Sequence, residues 1–556
     1  MKAPPPPPPL SRARALRAAR LDRLRTEQFD VLVIGGGITG AGVARDAAMR
    51  GLRTALVERG DYASGTSSRS SRLVHGGVRY LEHGHLHLVF ESSRERRTLL
   101  RIAPHLVRPL AFTWPVYAGA RIPRWKLGAG LMLYDALAMF RNVGRHHRLG
   151  ARAVLEREPA LAVDGLRGGA TYFDASTDDS RLTLANILAA EEAGAAVTNH
   201  AVVIGMTGER RQAGTSSTVH VRDARTGTMF ELRATVVVNA TGPWSDEIRH
   251  LADGSDDDGH TVRGTKGVHI AVPASRVGNR GALTLLSPVD GRVMFVLPSE
   301  STTIVGTTDT PTDAHPRDVR ASREDVRYLL DAVNRFFPAA SLGAGDVIAS
   351  WAGIRPLVAA GFGSDPSSAS REHAIVRTDA GMVHVTGGKL TTYRSMAAEV
   401  VDEVERALGR VPERSPTDTV PLPGGDTPSM TAQVAAAGDA VGDAAIATHL
   451  VHRYGTRWRQ VHAMMVADPS LARPVADGLP WLRVELAWAV EHEQACDIAD
   501  VLIRRTQVAF DTTDHGAAAA SVAADVLTPL LRWDNAMRDR ELDAFANAME
   551  RMFSPA

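Results

Sequence analysis

The sequence predicts an α/β protein in which a Rossmann-like dinucleotide-binding domain carries an inserted antiparallel-sheet domain and precedes a helical C-terminal domain. An apolar strand ending in glycines, FDVLVIG at 29–35, opens the first domain. From about Leu283 to Thr308, segments rich in Val, Ile, Phe and Thr alternate with turns, which predicts an antiparallel meander. Beyond the prolines of 412–428, the chain is rich in alanine and leucine with helical periodicity.

Length and composition limit the kinds of function. At 556 residues the chain is too long for one core, so two or three domains are expected. A net charge of +1 gives no overall attraction to nucleic acid, and no nucleic-acid partner is expected. The single cysteine, Cys496, excludes an internal disulfide and a cysteine-ligated iron–sulfur cluster. A bound cofactor must therefore carry any electrons.

The first βαβ unit contains a dinucleotide-binding turn. The strand at 29–35 leads into GGGITG (35–40), a helix from Ile38 to Arg50 and a second strand that ends at Glu58. The glycines let the backbone approach a pyrophosphate, which the helix N-terminus stabilises. Glu58 is placed to accept hydrogen bonds from both ribose hydroxyls. This turn alone does not distinguish NAD from FAD.

Two later segments favour FAD. The strand at 236–240 ends in NATG (239–242), and the strand at 382–386 leads into Gly387, Gly388, Lys389 and another helix. That helix N-terminus and Lys389 are placed to stabilise the negative charge of a reduced flavin near its N1–C2 carbonyl edge. The predicted cofactor-binding residues are Gly35, Gly36, Gly37, Ile38, Thr39, Gly40, Glu58, Arg59, Thr66, Ser67, Ser68, Val202, Thr241, Gly242, Gly388, Lys389, Leu390 and Thr391.

The domain boundaries follow from these changes of pattern. The Rossmann-like FAD-binding domain is expected at 29–105, 160–262 and 350–410, the substrate domain at 106–159 and 263–349, and the helical C-terminal cap domain at 426–556. Residues 1–28 are expected to form a disordered Pro/Arg-rich arm, in which the prolines of 4–9 lead into a solvated basic helix with six arginines. A basic arm on anionic lipid and an Arg-rich transit peptide are the alternatives.

Several segments resemble the FAD-dependent, quinone-linked glycerol-3-phosphate dehydrogenases. The family's two signature segments are similar to IGGGITGAGVARDAAMRG (34–51) and GGKLTTYRSMA (387–397). Between them, in the family's order, lie TSSRSSRLVHGGVRYL (66–81), NATGPW (239–244), KGVH (266–269), IVGTTD (304–309) and GIRP (353–356). The resemblance implies a homodimer on the cytoplasmic face of the membrane. It also implies an enzyme that oxidises glycerol 3-phosphate to dihydroxyacetone phosphate and passes the electrons from FAD to a quinone.

The resemblance also implies the substrate contacts. Arg79 and Tyr80 are carried over from HGGVRYL, Arg355 from GIRP and Lys389 from GGK, whereas Arg371 matches by position alone. Several cations suit a dianionic phosphate. We expect His269 to take the proton of the C2 hydroxyl while a hydride moves to flavin N5, and Arg355 to stabilise the developing alkoxide. A buried histidine with a structural role is the alternative for His269.

Other functions remain open from the sequence. One is an alpha-glycerophosphate oxidase of the same fold, and others are a flavoenzyme for amino or hydroxy acids and a non-catalytic flavin-binding membrane protein. Membrane attachment is expected from the basic arm and from Trp458, Trp481 and Trp488 among basic residues. The alternating His83, His85 and His87 have no second cluster that would complete a site, so no metal is expected.

Overall fold

The computed structural model describes residues 11–78, 85–139, 143–207, 216–253, 262–358, 373–378 and 381–554. Its strands are β1 (Gln28–Ile34), β2 (Thr54–Val57), β3 (Leu73–Val74), β4 (Val107–Tyr117), β5 (His147–Leu149), β6 (Leu166–Thr177), β7 (Ala196–Thr198), β8 (Ala201–Thr207), β9 (Ser217–Asp223), β10 (Met229–Asn239), β11 (Val262–Pro273), β12 (Ala282–Leu286), β13 (Val293–Ser299), β14 (Thr302–Gly306), β15 (Thr310–Thr312), β16 (Ala349–Val358), β17 (Ala374–Arg377) and β18 (Val383–Thr386).

The helices alternate with the strands at first and then follow one another. They are α1 (Arg12–Thr26), α2 (Ile38–Met49), α3 (Leu86–Ile102), α4 (Arg124–Leu137), α5 (Ala151–Arg157), α6 (Asp179–Glu192), α7 (Ser245–Asp253), α8 (Ala274–Val277), α9 (Arg323–Phe336), α10 (Tyr393–Ala407), α11 (Met430–Val441), α12 (Ala444–Tyr454), α13 (Trp458–Ala467), α14 (Arg483–His492), α15 (Val508–Asp511), α16 (Ala517–Leu531) and α17 (Asn535–Phe553). A π-helical segment covers Asp500–Arg505.

The first sheet holds the predicted dinucleotide-binding strands. Its order is β17-β18-β10-β1-β2-β7, with the β8–β9 hairpin attached to β10, and β1 pairs in parallel with β10 and β2. Val31 and Val33 of β1 pack with α2, α6 and α10, whereas Leu32 and Ile34 face α1 and the hairpin. The carboxyl ends of β1, β2 and β10 therefore share one edge, where ligands bind in folds of this kind.

The second sheet is largely antiparallel. Its order is β15-β11-β14-β13-β12-β4-β6-β3, with β16 on β11 and β5 on β6. The predicted meander is confirmed as β12, β13 and β14. However, β6 pairs with β4 along its length, and β16 pairs with β11. These pairings place 166–177 and 349–358 in the second sheet, so the boundaries expected at residues 160 and 350 need correction.

The C-terminal region is helical, as predicted, but its tryptophans lie inside it. Trp458, Trp481 and Trp488 are all buried. The indole nitrogen of Trp481 donates to Asp511, and that of Trp488 donates to Glu493. The expectation that these tryptophans meet a membrane is therefore wrong, because they pack within the helical domain itself.

Residues 12–26 form α1, which docks on the protein. Leu24 is buried in the core of the first sheet, and Arg17 forms an ion pair with Asp223 at 2.7 Å. The expected basic helix is therefore present, but the expectation that it is solvated and part of a disordered arm is wrong, because it docks on the protein. Residues 1–10 lie outside the described residues. Within the described parts of the chain, no helix combines the length and the apolar content needed to cross a bilayer.

Candidate functional site

A cavity of ≈ 960 Å³ opens between the two sheets. The first sheet lines it with the loops that follow β1, β2, β10 and β18, and the second sheet lines it with β11 and β16. Glu58 lies on the first-sheet side, whereas His269, Gly353 and Arg355 lie on the second-sheet side. A cavity of this size is at the upper end of the roughly 300–1,000 Å³ found for small-molecule and cofactor sites.

The glycine turn after β1 is shaped for close backbone approach. Gly35 has a φ of +110°, and a Cβ there would lie 2.7 Å from the carbonyl oxygen of Ala240. A Cβ on Gly40 would lie 1.9 Å from the carbonyl oxygen of Gly35. Larger residues would push α2 away from the turn. The N-terminus of α2 therefore faces the cavity, in the arrangement that binds a pyrophosphate.

Glu58 organises the loop after β2. Its carboxylate accepts hydrogen bonds from the amides of Gly36 at 2.6 Å and Gly60 at 2.8 Å. Burial raises the pKa of Glu58 above its ordinary value, although the two amide bonds oppose that shift. A carboxylate has about four acceptor positions, so these bonds leave room for the ribose hydroxyls of a dinucleotide. The predicted role of Glu58 fits this geometry.

The cavity wall contains most of the predicted cofactor-binding residues. They are Gly35, Gly37, Ile38, Thr39, Glu58, Arg59, Thr66, Ser67, Val202, Thr241, Gly242, Gly388, Lys389, Leu390 and Thr391. The other three, Gly36, Gly40 and Ser68, do not line it. Gly36 and Gly40 act behind the wall, through the bond to Glu58 and the close packing of α2.

The turn at 387–389 brings a second helix to the cavity. Gly387 and Gly388 have φ values of 75° and 93°, and they lead through the 3-10 turn Leu390–Thr392 into α10. A Cβ on Gly388 would lie 2.6 Å from the sulfur of Met396. The hydroxyl of Thr391 accepts a hydrogen bond from the amide of His75 at 3.1 Å. The predicted GGK turn is thus joined to the HGG segment across the site.

His269 is buried on β11, beside the cavity. Its Nε2 lies 2.8 Å from Ser71 Oγ, and its ring stacks on Trp351 with the ring centroids 5.5 Å apart. Burial, together with Arg355 and Arg72, lowers the pKa of His269 to about 3. The imidazole is therefore neutral near pH 7.

Arg355 is held rigidly in the cavity wall. It forms an ion pair with Asp309 at 3.0 Å and donates to Thr307 Oγ1 at 2.9 Å. A second cavity of ≈ 130 Å³ adjoins the first, and both are lined by Ser71, His75 and Arg355. Three other predicted substrate residues, Arg79, Tyr80 and Arg371, lie outside the described residues.

Sequence reasoning missed other residues of the wall. Arg69, Ser71 and His75 belong to the segment at 66–81 that resembles the family, but nothing in that segment shows which side chains face the cavity. Trp244 follows the NATG turn and packs against Gly65. Arg551 comes from α17, almost at the end of the chain. No local signal connects that position to the cavity, because tertiary packing alone brings it there.

Comparisons with known proteins agree with this architecture. The chain matches the FAD dependent oxidoreductase family over residues 30–400 and the C-terminal domain of alpha-glycerophosphate oxidase over residues 415–538. It is 40% identical over 548 residues to glycerol-3-phosphate dehydrogenase 2 of Mycobacterium bovis, covering 97% of this chain and 90% of that protein. It is 36% identical over 547 residues to a glycerol-3-phosphate dehydrogenase of Synechocystis, covering 96% and 98%.

A solved structure shares nearly the whole fold. It is the glycerol-3-phosphate dehydrogenase from Bacillus halodurans complexed with FAD, with a TM-score of 0.79 and 30% sequence identity. The match covers 98% of this chain and 99% of that one. The predicted fold class and the predicted FAD cofactor are therefore confirmed.

Proposed function

Because the chain belongs to the FAD-dependent oxidoreductase family that includes the glycerol-3-phosphate dehydrogenases, we propose that it oxidises sn-glycerol 3-phosphate to dihydroxyacetone phosphate and passes the electrons to a membrane quinone. Bound FAD supplies the hydride acceptor, its N5 atom. The observation that carries the proposal is the cavity wall where Arg355 and Lys389 lie with the neutral His269.

The cations suit a phosphate ester. Asp309 and Thr307 hold the guanidinium of Arg355 in a fixed plane at the junction of the two cavities. A fixed guanidinium presents paired donors to phosphate oxygens. Lys389 adds a charge from the N-cap of a 3-10 turn. The contacts of Arg79, Tyr80 and Arg371 with the same phosphate remain predictions from the resemblance.

His269 is the proposed acceptor of the C2 hydroxyl proton. Without an anion, its low pKa comes first from burial and then from Arg355 and Arg72. A dianionic phosphate beside Arg355 would offset those cations and raise the proton affinity of the imidazole. Ser71, at 2.8 Å from Nε2, holds the ring in position meanwhile. His269 would therefore act as a base when substrate is bound and stay inactive otherwise.

For membrane attachment we propose a surface other than the basic arm and the C-terminal tryptophans. Helix α4 leaves an apolar face in solvent, on which Trp125 is 71% exposed, Met132 54% and Leu133 41%. Helix α3 packs beside α4 and adds exposed Leu86 and Phe90. An exposed apolar patch marks an interaction surface. A quinone dissolves in lipid, so its reductase must reach the bilayer.

The occupant proposed for this face is the membrane surface. Arg124 and Lys126, exposed in the first turn of α4, lie beside Trp125 and suit anionic headgroups. An amphipathic or apolar helix flanked by cations and carrying an exposed tryptophan is typical of the lipid interface. The homodimer and the cytoplasmic location stay predictions from the resemblance.

The test is anaerobic addition of sn-glycerol 3-phosphate to the FAD-loaded protein while the flavin absorbance is recorded. Bleaching is expected, followed by reoxidation with a quinone in vesicles faster than with dissolved oxygen. Arg355→Ala should slow bleaching at least about 100-fold, since lost transition-state stabilisation of about 3 kcal/mol is expected. Arg276→Ala, which breaks a surface ion pair with Asp346, is the control.

Each contrary outcome has a clear meaning. No bleaching with glycerol 3-phosphate, but bleaching with an amino or hydroxy acid, would identify that acid as the substrate instead. Fast reoxidation by oxygen, with stoichiometric hydrogen peroxide and no response to quinone, would favour the oxidase. An intact flavin that no substrate reduces would favour a non-catalytic flavin-binding protein.

A further inference from the structure

Arg69 lies in the cavity wall and has no part in the substrate oxidation proposed above. It follows the 3-10 turn Thr66–Ser68 and lies against β16, where a Cβ on Gly353 would meet Arg69 Cβ at 3.2 Å. Its Nη1 makes one long hydrogen bond, of 3.4 Å, to the carbonyl oxygen of Ala352. Its Nε is buried and has no hydrogen-bond partner among the described residues. The guanidinium therefore has unused hydrogen-bond donors at the cavity.

Two other arginines of the wall have carboxylate partners. Arg59 pairs with Glu247 at 3.3 Å, and Arg355 pairs with Asp309 at 3.0 Å. Over the described ranges, Arg69 has no acidic group within ion-pair distance. Burial and the nearby Arg504 lower the pKa of Arg69 to about 10, so it stays charged at neutral pH. A buried cation without a counter-charge is costly unless a ligand supplies one.

FAD brings two negatively charged groups to this cavity. The pyrophosphate is already served by the glycine turn 35–40 and the N-terminus of α2. The other is the isoalloxazine after reduction, with charge near its N1–C2 edge. Arg69 packs against the second-sheet side of the cavity at Gly353, a residue of the same strand as Arg355. That is the side where the redox step is proposed.

We infer that Arg69 is a cation that stabilises the reduced flavin and thereby raises its reduction potential. The inference rests on the flavin chemistry of the proposed function, but it does not depend on the substrate or the acceptor. It differs from the role expected for Lys389, because Arg69 follows the 3-10 turn Thr66–Ser68 whereas Lys389 precedes the 3-10 turn Leu390–Thr392. The two cations would act on the same negative charge from different elements.

The test uses the FAD-loaded protein and needs no substrate. Sulfite adds through its sulfur lone pair to N5 of oxidised flavin and leaves the ring negatively charged, so its affinity reports nearby cations. Arg69→Gln should weaken sulfite binding about tenfold, and a tenfold loss for the reduced flavin lowers the two-electron potential by about 30 mV. Arg69→Lys should recover part of both. Dithionite and a redox dye give the potential.

Arg276→Gln is the control, since it removes a carboxylate-paired arginine outside the cavity. It should leave the potential and the sulfite affinity in place. If Arg69→Gln folds but loses FAD, Arg69 serves the pyrophosphate and the inference is overturned. A higher KM for glycerol 3-phosphate with an unchanged potential would overturn it too, in favour of a substrate contact. Arg69→Met, which keeps the apolar stem, replaces the glutamine variant should that fail to fold.

Discussion

Helices α1 and α4 turn opposite kinds of surface toward solvent. α1 is rich in arginine, yet it buries Leu21 and Leu24 and directs Arg17 inward to an ion pair. α4 is largely apolar, yet it leaves Trp125 and Met132 in solvent. Composition would place α1 on anionic lipid and α4 in the protein core. The structure assigns the protein contact to α1 and the free apolar face to α4.

The difference teaches that the partner of a helix depends on the elements around it. α1 meets Asp223 of β9 and Glu191 of α6, two acids that accept its arginines. α4 packs on β6 and beside α3, and the face that it buries there carries Leu131 and Tyr134. Its opposite face stays apolar although water surrounds it. A helix with apolar residues on all sides is expected to meet protein or lipid on each of them.

The largest effect is expected from charging the free face of α4. The double substitution Met132→Glu and Leu133→Glu should weaken binding to anionic vesicles at least about 100-fold, because each buried apolar side chain contributes about 1.5–3 kcal/mol. Thermal stability should change little, since both side chains are exposed. Cosedimentation with vesicles measures the binding.

The matched control adds the same charge elsewhere. Val411 and Val466 are 86% and 68% exposed, in the linker after α10 and in α13. Their double substitution by glutamate should leave vesicle binding in place. If the α4 variant bound vesicles as well as the unchanged protein, the α4 face would not be the membrane surface.

The sequence predicted the elements whose signals are local. The strand, glycine turn and helix at 29–50, the acid at Glu58 and the GGK turn each depend on neighbours within a few residues, and the structure has them at the cavity. The pairings of β6 and β16 and the contribution of Arg551 depend on contacts between distant segments. The exposed face of α4 belongs to that second group, since only the packed protein shows which side remains uncovered.

Deleting residues 1–26 should give the next largest effect, on stability. Loss of buried Leu21 and Leu24 removes about 3–6 kcal/mol of burial free energy, which should lower the unfolding midpoint by about 5–15 °C. Vesicle affinity should stay within about threefold, because Arg17 and Arg20 of α1 already form ion pairs with Asp223 and Glu191. Calorimetry measures the first quantity. A deletion that abolished vesicle binding at unchanged stability would restore the arm as the membrane contact.

The Arg17–Asp223 pair should account for a smaller part of that stability. A double-mutant cycle with Arg17→Met and Asp223→Asn should give a coupling of about 1–2 kcal/mol, moderated by the partial exposure of Arg17. Burial raises the pKa of Asp223, but hydrogen bonds from Thr226 and Arg17 outweigh it and the net pKa is lowered. The coupling should therefore persist above pH ~4 and fall as acid protonates Asp223. A coupling that grew at low pH would contradict the assignment.

The smallest expected effect comes from removing one exposed cation from each of the two helices in turn. Lys126 on α4 and Arg14 on α1 are both exposed and both carry one positive charge. Only Lys126 lies beside the apolar face, within reach of headgroups if that face meets the bilayer. A cation at an anionic surface contributes about 1 kcal/mol, so Lys126→Gln should weaken vesicle binding about fivefold at low salt. Screening should remove most of this difference at high salt. Arg14→Gln should change nothing, and an equal loss from both variants would mean that the attraction is a general property of the surface charge, with no preferred helix.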